Sequence, residues 1–131
     1  MHILVVDDEP AQRNIVRDIL TDAGFRISVA ADGEEAIKKI ASDGFQIVLT
    51  DLKMPGKDGL EVLQVAKELN PEIQVIIMTA FGTIPSAVSA IKSGAYDYLT
   101  KPFQKDELLR VVGRAVEKAE LLSENRRLQS E

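Results

Sequence analysis

Several polar residues in this chain follow directly on short apolar runs, and their types suit the chemistry of a negatively charged group. Asp7 and Asp8 follow Ile3–Val6, Asp51 follows Ile47–Thr50, Thr79 and Ala80 follow Val75–Met78, and Lys101 follows Tyr96–Thr100. Crowded carboxylates repel, and each is costly to keep ionised alone. A hard divalent cation relieves that repulsion, and Mg2+ prefers oxygen ligands while retaining several waters. A carboxylate held beside such a cation is a competent nucleophile toward a phosphoryl group. The transferring group spreads charge over its equatorial oxygens, so the protein's task is positioning and neutralisation. The cation can take one oxygen, Lys101 a second, and the Thr79 hydroxyl with the Ala80 amide a third. Asp51 is the choice for nucleophile because its strand is central, and Asp7 and Asp8, from the neighbouring strand, suit the metal.

Taken singly, each of these residues has an ordinary explanation. Asp8 can cap a helix, Asp51 can open a loop, Thr79 can be a strand-end hydroxyl and Lys101 a surface lysine. Those explanations do not account for their joint occurrence after separate strands. His2, the only histidine, is read as incidental.

The elements that must bring these residues together are visible as alternating patterns. Strand candidates are Ile3–Val6, Arg26–Ala30, Ile47–Thr50, Val75–Met78 and Tyr96–Thr100. The unbroken apolar runs among them suit strands buried on both faces of a parallel sheet. Helix candidates lie between. Pro10–Ala23 offers Ile15, Ile19 and Leu20, with Asp8 as a candidate cap, Pro10 in the first turn and Gly24 after its end. Gly33–Ala41 offers Ala36, Ile37 and Ile40; Gly59–Leu69 offers Leu60, Leu63 and Ala66; Thr83–Ser93 offers Val88 and Ile91, with Pro85 tolerated in its first turn. The last helix starts near Gln104, with Phe103 and Leu108 as a hydrophobic staple. Strict alternation argues an α/β doubly wound sheet, and right-handed crossovers favour the flavodoxin-like order 2-1-3-4-5 with an extended C-terminal helix. In such a sheet, functional groups gather at the carboxyl ends of the strands.

That final helix exceeds what the sheet needs. Gln104 to Leu128 would run about 37 Å. Leu108, Leu109, Val111, Val112, Ala115 and Val116 can pack on the sheet, whereas Glu117–Glu131 is strongly charged. Leu121, Asn125 and Leu128 fall at coiled-coil spacing, which fits either a dimer helix or a solvated linker. The expected division is a domain over residues 1–118 and a helical segment over 119–131.

Composition narrows the class further. The 131 residues are 45% hydrophobic and 28% charged, as in a folded globular domain. There are no cysteines, which excludes disulfides and thiolate metal sites. The net charge of −5, without a basic cluster before the C-terminal end, argues against direct nucleic-acid binding by this segment. Apolar runs fall far short of the roughly 20 residues of a membrane span. Met1-His2 leads straight into the first strand, leaving no room for a signal peptide, so a cytoplasmic protein is expected.

The residues Val5-Val6-Asp7-Asp8-Glu9-Pro10, Leu49-Thr50-Asp51-Leu52-Lys53-Met54-Pro55-Gly56 with Asp58-Gly59, Met78-Thr79-Ala80, and Gly94–Phe103 (GAYDYLTKPF) together resemble the receiver domain of two-component response regulators. The resemblance covers about residues 1–118. It implies a phosphorylation-dependent switch, not a turnover enzyme, that catalyses only its own aspartyl phosphorylation and slow dephosphorylation. It implies Asp51 as phosphoacceptor, Asp8, Asp51 and the Lys53 carbonyl as Mg2+ ligands, and Asp7 as an outer acid. It makes Thr79 and Lys101 phosphoryl ligands, Thr79 and Tyr98 the switch pair, and the peptide before Pro102 cis. The donor would be a sensor histidine kinase. The stretch Thr79–Val88 with Gly94–Tyr98 resembles the nitrogen-regulator (NtrC-like) class of AAA+ enhancer-binding activators. An AAA+ ATPase and a DNA-binding domain would then follow in the full-length protein, and homodimers would form through the helix four/five surface or the extended last helix. In this picture Thr79 moves toward the phosphoryl group, Tyr98 swings inward, helix four repacks, and apolar Phe81 with Lys53 tunes phosphoryl lifetime.

Rival readings fit less well. A phosphatase with an aspartate nucleophile would want Asp-x-Asp after the first strand and a cap domain. A flavin or nucleotide carrier would want a glycine-rich phosphate loop there. A degenerate receiver that only binds proteins would lack part of the set Asp8, Asp51, Thr79 and Lys101.

Overall fold

Ile3, Val5, Ile47, Leu49, Ile76 and Met78 face one side of a sheet, while Leu4, Val6, Val48, Val75 and Ile77 face the other. Strand side chains alternate between faces, so an unbroken apolar run demands cover on both. The computed structural model of the chain supplies that cover. It describes residues 1–80 and 84–129, with side chains described except at 84, 86, 87 and 125–129.

The elements are β1 (His2–Val6), α1 (Pro10–Asp22), β2 (Arg26–Ala30), α2 (Gly33–Ser42), β3 (Ile47–Asp51), α3 (Gly59–Leu69), β4 (Gln74–Ala80), α4 (Ile84–Lys92), β5 (Asp97–Lys101) and α5 (Lys105–Gln129). The strands are parallel in the order β2-β1-β3-β4-β5, as the alternation of elements predicts. Val16 and Leu20 of α1 and Leu108, Val112 and Ala115 of α5 close one face. Ala36 and Ile40 of α2, Val62, Leu63 and Ala66 of α3, and Ala90 of α4 close the other.

Local chemistry explains the helix starts. Asp32 accepts from the Glu35 amide at 2.8 Å while the Glu35 carboxylate accepts from the Ala31 amide at 2.8 Å, a reciprocal cap. Asp58 caps α3 through the Glu61 amide at 3.0 Å. The N-cap of α1 is Glu9, without a side-chain cap bond, so Asp8, a candidate cap by sequence, does not cap this helix. The structure turns Asp8 toward the cleft described below, and Pro10 in the first turn has no amide to satisfy.

Other expectations shift in detail. Ile15 is 55% exposed, and the buried ridge of α1 is Val16 and Leu20. In α4, Val88 and Ile91 are 45% and 40% exposed, so the face expected to pack points outward. The strand β4 is longer than its apolar run because Gln74, buried and bonded through Nε2 to the Glu72 carbonyl at 2.9 Å, pairs with Ile47, and Ala80 pairs with Lys101. The expected α4 start at Thr83 lies outside the described residues, as do the side chains of Asn125 and Leu128. In α5, Ala119 is buried and Leu121 is 63% exposed. Among the described residues, no helix is long and apolar enough to cross a membrane.

Candidate functional site

Sheet register carries the polar residues to one edge. Val6 pairs with Thr50, Asp51 with Met78, Thr79 with Thr100, and Ala80 with Lys101. The residues ending β1, β3, β4 and β5 therefore converge, and a cleft of about 280 Å³ opens among Asp8, Glu9, Asp51, Leu52, Lys53, Thr79, Ala80 and Lys101. Close packing beneath it is strict. A Cβ on Gly59 would collide with the Asp51 carbonyl oxygen, so the start of α3 can approach the end of β3 only as glycine. Gly56, at φ +77°, turns the connecting loop in the left-handed region.

The charges in the cleft are closely coupled. Lys101 Nζ donates to Asp7 Oδ2 at 2.9 Å and lies 3.4 Å from Asp51 Oδ2. Asp7 is fully buried, and its other oxygen, Oδ1, accepts from the Glu9 amide at 3.0 Å. Asp51 is nearly buried, whereas Asp8 is exposed. Burial pushes the Asp51 carboxyl above its ordinary value; Lys101 opposes the rise, and the charges of Asp7 and Asp8 add to it. Burial alone would lower the Lys101 ammonium, but the Asp7 hydrogen bond and the charges of Asp51 and Asp7 outweigh it, and the net shift is upward.

The donor set fits a hard cation. One carboxylate oxygen from each of Asp7, Asp8 and Asp51 lies within 4.8 Å of the others. Opposite ligands of an octahedral Mg2+ stand about 4.2 Å apart, so modest movement brings this set to bonding distance. One ammonium against three carboxylates leaves negative charge in excess, which a divalent ion offsets.

The described residues singled out by sequence take the following places. Thr79 is buried beside the cleft, its Oγ1 3.5 Å from the Ala80 carbonyl oxygen. Lys53 lines the cleft from the loop after β3. Tyr98 is 41% exposed and points away from the interior. The Lys101–Pro102 peptide is cis. Phe81 lies outside the described residues. His2 is remote from the cleft at the start of β1; its Nε2 is 2.8 Å from Ser28 Oγ and its ring centroid 4.3 Å from that of Phe45, a structural role. Sequence reasoning missed Arg13, whose Nη1 donates to the Asp7 carbonyl at 2.9 Å. The available signal was a cation near a helix N-terminus, where the helix dipole disfavours one.

Residues 3–113 match the family described as the response regulator receiver domain. The chain belongs to that family, whose members are signalling modules of two-component systems. Within it, the similar proteins are NtrC-family response regulators. A putative response regulator, NtrX-like, from Rickettsia bellii (strain RML369-C) is 45% identical over 130 residues, covering 98% of this chain and 27% of that protein. The C4-dicarboxylate transport transcriptional regulatory protein DctD of Rhizobium meliloti (strain 1021) is 40% identical over 126 residues, covering 96% of this chain and 27% of that protein. The crystal structure of NtrX from Brucella abortus in complex with ADP superposes with a TM-score of 0.91 at 40% identity, over 97% of this chain and 29% of that one. The chain thus spans about a quarter of the length of these relatives.

Proposed function

We propose that this domain is a phosphorylation-dependent switch that takes a phosphoryl group from a sensor histidine kinase onto Asp51, with Mg2+ bound. The observation that carries the proposal is the bridging of Asp7 and Asp51 by Lys101 at the sheet edge, with Asp8 beside them. An Asp51 carboxylate oxygen attacks phosphorus, the bond to the donor's imidazole nitrogen breaks, and an acyl phosphate forms while the imidazole leaves with the electron pair. Asp8, Asp51 and the Lys53 carbonyl would hold the cation, whose charge offsets that of the transferring phosphoryl group. Asp7, locked by Lys101 and the Glu9 amide, suits an outer acid that steadies the set. Lys101 is near enough to Asp51 to follow the new phosphoryl oxygens, and Thr79 and the Ala80 amide line the same cleft.

The output follows from a biased equilibrium. A charge-assisted hydrogen bond from Thr79 to the phosphoryl group favours one loop arrangement, and Tyr98, exposed in this state, turns inward as α4 repacks. The result is a changed homodimer contact, passed through α5 to AAA+ and DNA-binding domains that regulate transcription in the cytoplasm. Residues 1–118 form the receiver and 119–131 the helical connection.

The test is incubation with acetyl phosphate, or with a beryllofluoride mimic, in the presence of Mg2+. Wild type gains the phosphoryl mass and Asp51→Asn does not, with intact mass and light scattering as readouts. An Asp51→Asn chain that still gains that mass overturns the assignment.

A further inference from the structure

We infer that Arg13 is a positioning residue for the cation site, acting through the backbone of the β1–α1 turn. The inference rests on the phosphoacceptor reading above and deepens it. Arg13 is the fourth residue of α1, and its own amide makes the helix's first bond, to the Glu9 carbonyl at 3.0 Å. No acidic side chain lies in that first turn and no side chain caps it. A cation there opposes the helix dipole, so helix stability does not explain it. Its guanidinium instead reaches back and donates to the Asp7 carbonyl at 2.9 Å.

That one bond closes a frame around the acidic turn. The Asp7 side chain is held by the Glu9 amide at 3.0 Å and by Lys101 at 2.9 Å. The Asp7 amide donates to the Ala30 carbonyl at 3.2 Å. Arg13 holds the remaining polar group of Asp7, the carbonyl of the peptide that leads into Asp8. Asp8 is exposed and has no helix-capping role, so its aim at the cation site depends on how firmly that peptide is held. Hydrogen bonds that orient metal ligands typically carry about 10- to 100-fold in metal affinity.

The sign of the effect separates this role from a charge effect. Removing a nearby positive charge by itself would tighten cation binding, whereas loosening the turn weakens it. MgCl2 titration of the 131-residue chain is followed by NMR of the Asp7, Asp8 and Glu9 amides, with wild type, Arg13→Ala, Arg13→Gln and Arg13→Lys compared. Thermal melts of each variant without Mg2+ identify any loss of fold. Arg13→Ala binds Mg2+ about tenfold more weakly than wild type, and Arg13→Lys, which keeps a donor, recovers at least half of that loss on a logarithmic scale. Initial rates with acetyl phosphate show the same loss at low Mg2+ and recover at saturating Mg2+. If Arg13→Ala binds Mg2+ as wild type does, or more tightly, the inference is overturned. It is equally overturned if Arg13→Lys fails to recover. Wild-type amides that do not respond to Mg2+ at all would overturn the cation-site reading together with it.

Discussion

Lys101 stands between two carboxylates, and Asp7 is wholly buried behind it. Removing the ammonium strands a buried charge, so Lys101→Met costs about 3 kcal/mol of stability without Mg2+. Adding Asp7→Asn to that variant restores most of the loss, which urea denaturation of the single and double variants measures; additive losses would contradict the pairing. Asp51 behaves in the opposite sense. Burial raises its folded pKa above the ordinary value of 3.8, so as pH climbs the unfolded chain ionises first and the fold is penalised. The penalty grows from the unfolded value up through the folded one and is complete above it. Metal-free Asp51→Asn therefore melts at a higher temperature than wild type near neutral pH, and the gap narrows as pH falls toward about 4. A variant that melts lower at neutral pH would show that Lys101 more than compensates for the burial of Asp51.

Elements differ in how much freedom they leave. Where α3 begins, a Gly59 Cβ would meet the Asp51 carbonyl, so Gly59→Ala costs about 1–3 kcal/mol and disturbs the site loop. Gly113, inside α5, leaves open space for an added Cβ beyond the helix's own neighbouring backbone, and Gly113→Ala stabilises by about 0.5–1 kcal/mol. Chemical denaturation of both variants checks the contrast. Along α1, Leu20→Ala opens a cavity under the sheet and costs about 2–5 kcal/mol, whereas Ile15→Ala, on the exposed side, stays within about 0.5 kcal/mol of wild type. Equal losses at the two positions would contradict the observed face of that helix.

At the scale of the molecule, the candidate site lies at the carboxyl edge of the sheet, while apolar Val88 and Ile91 of α4 and Tyr98 of β5 are exposed. These residues belong to the parts proposed to move, and they suit a contact between copies of the chain. If beryllofluoride and Mg2+ raise the mass seen in light scattering through a contact on this face, Ile91→Lys abolishes that rise while leaving the melting temperature within about 2 °C. Leu121→Lys, on the exposed part of α5, separates a contact through α4 from one through the long helix. A beryllofluoride-dependent mass increase retained by Ile91→Lys but lost by Leu121→Lys would move the interface to α5.

Much of this was legible in the chain of residues. Three apolar runs and their spacing specified a doubly wound parallel sheet, because a strand buried on both faces needs helices on both sides. The rule that such sheets collect functional groups at their carboxyl edge is enough to bring Asp7, Asp8, Asp51, Thr79 and Lys101 into one neighbourhood. Periodicity misjudged the helices with little surface to cover, as with the outward Val88 and Ile91 of α4, since apolar spacing does not say which side meets the sheet. Tertiary structure alone settled the partners: Lys101 on Asp7 across 94 residues of sequence, Asp8 left free of a capping role, and Arg13 on the Asp7 carbonyl. Such contacts depend on how separate strands and helices stack and on which rotamer reaches across the gap, and neither is encoded in the local pattern of any one segment.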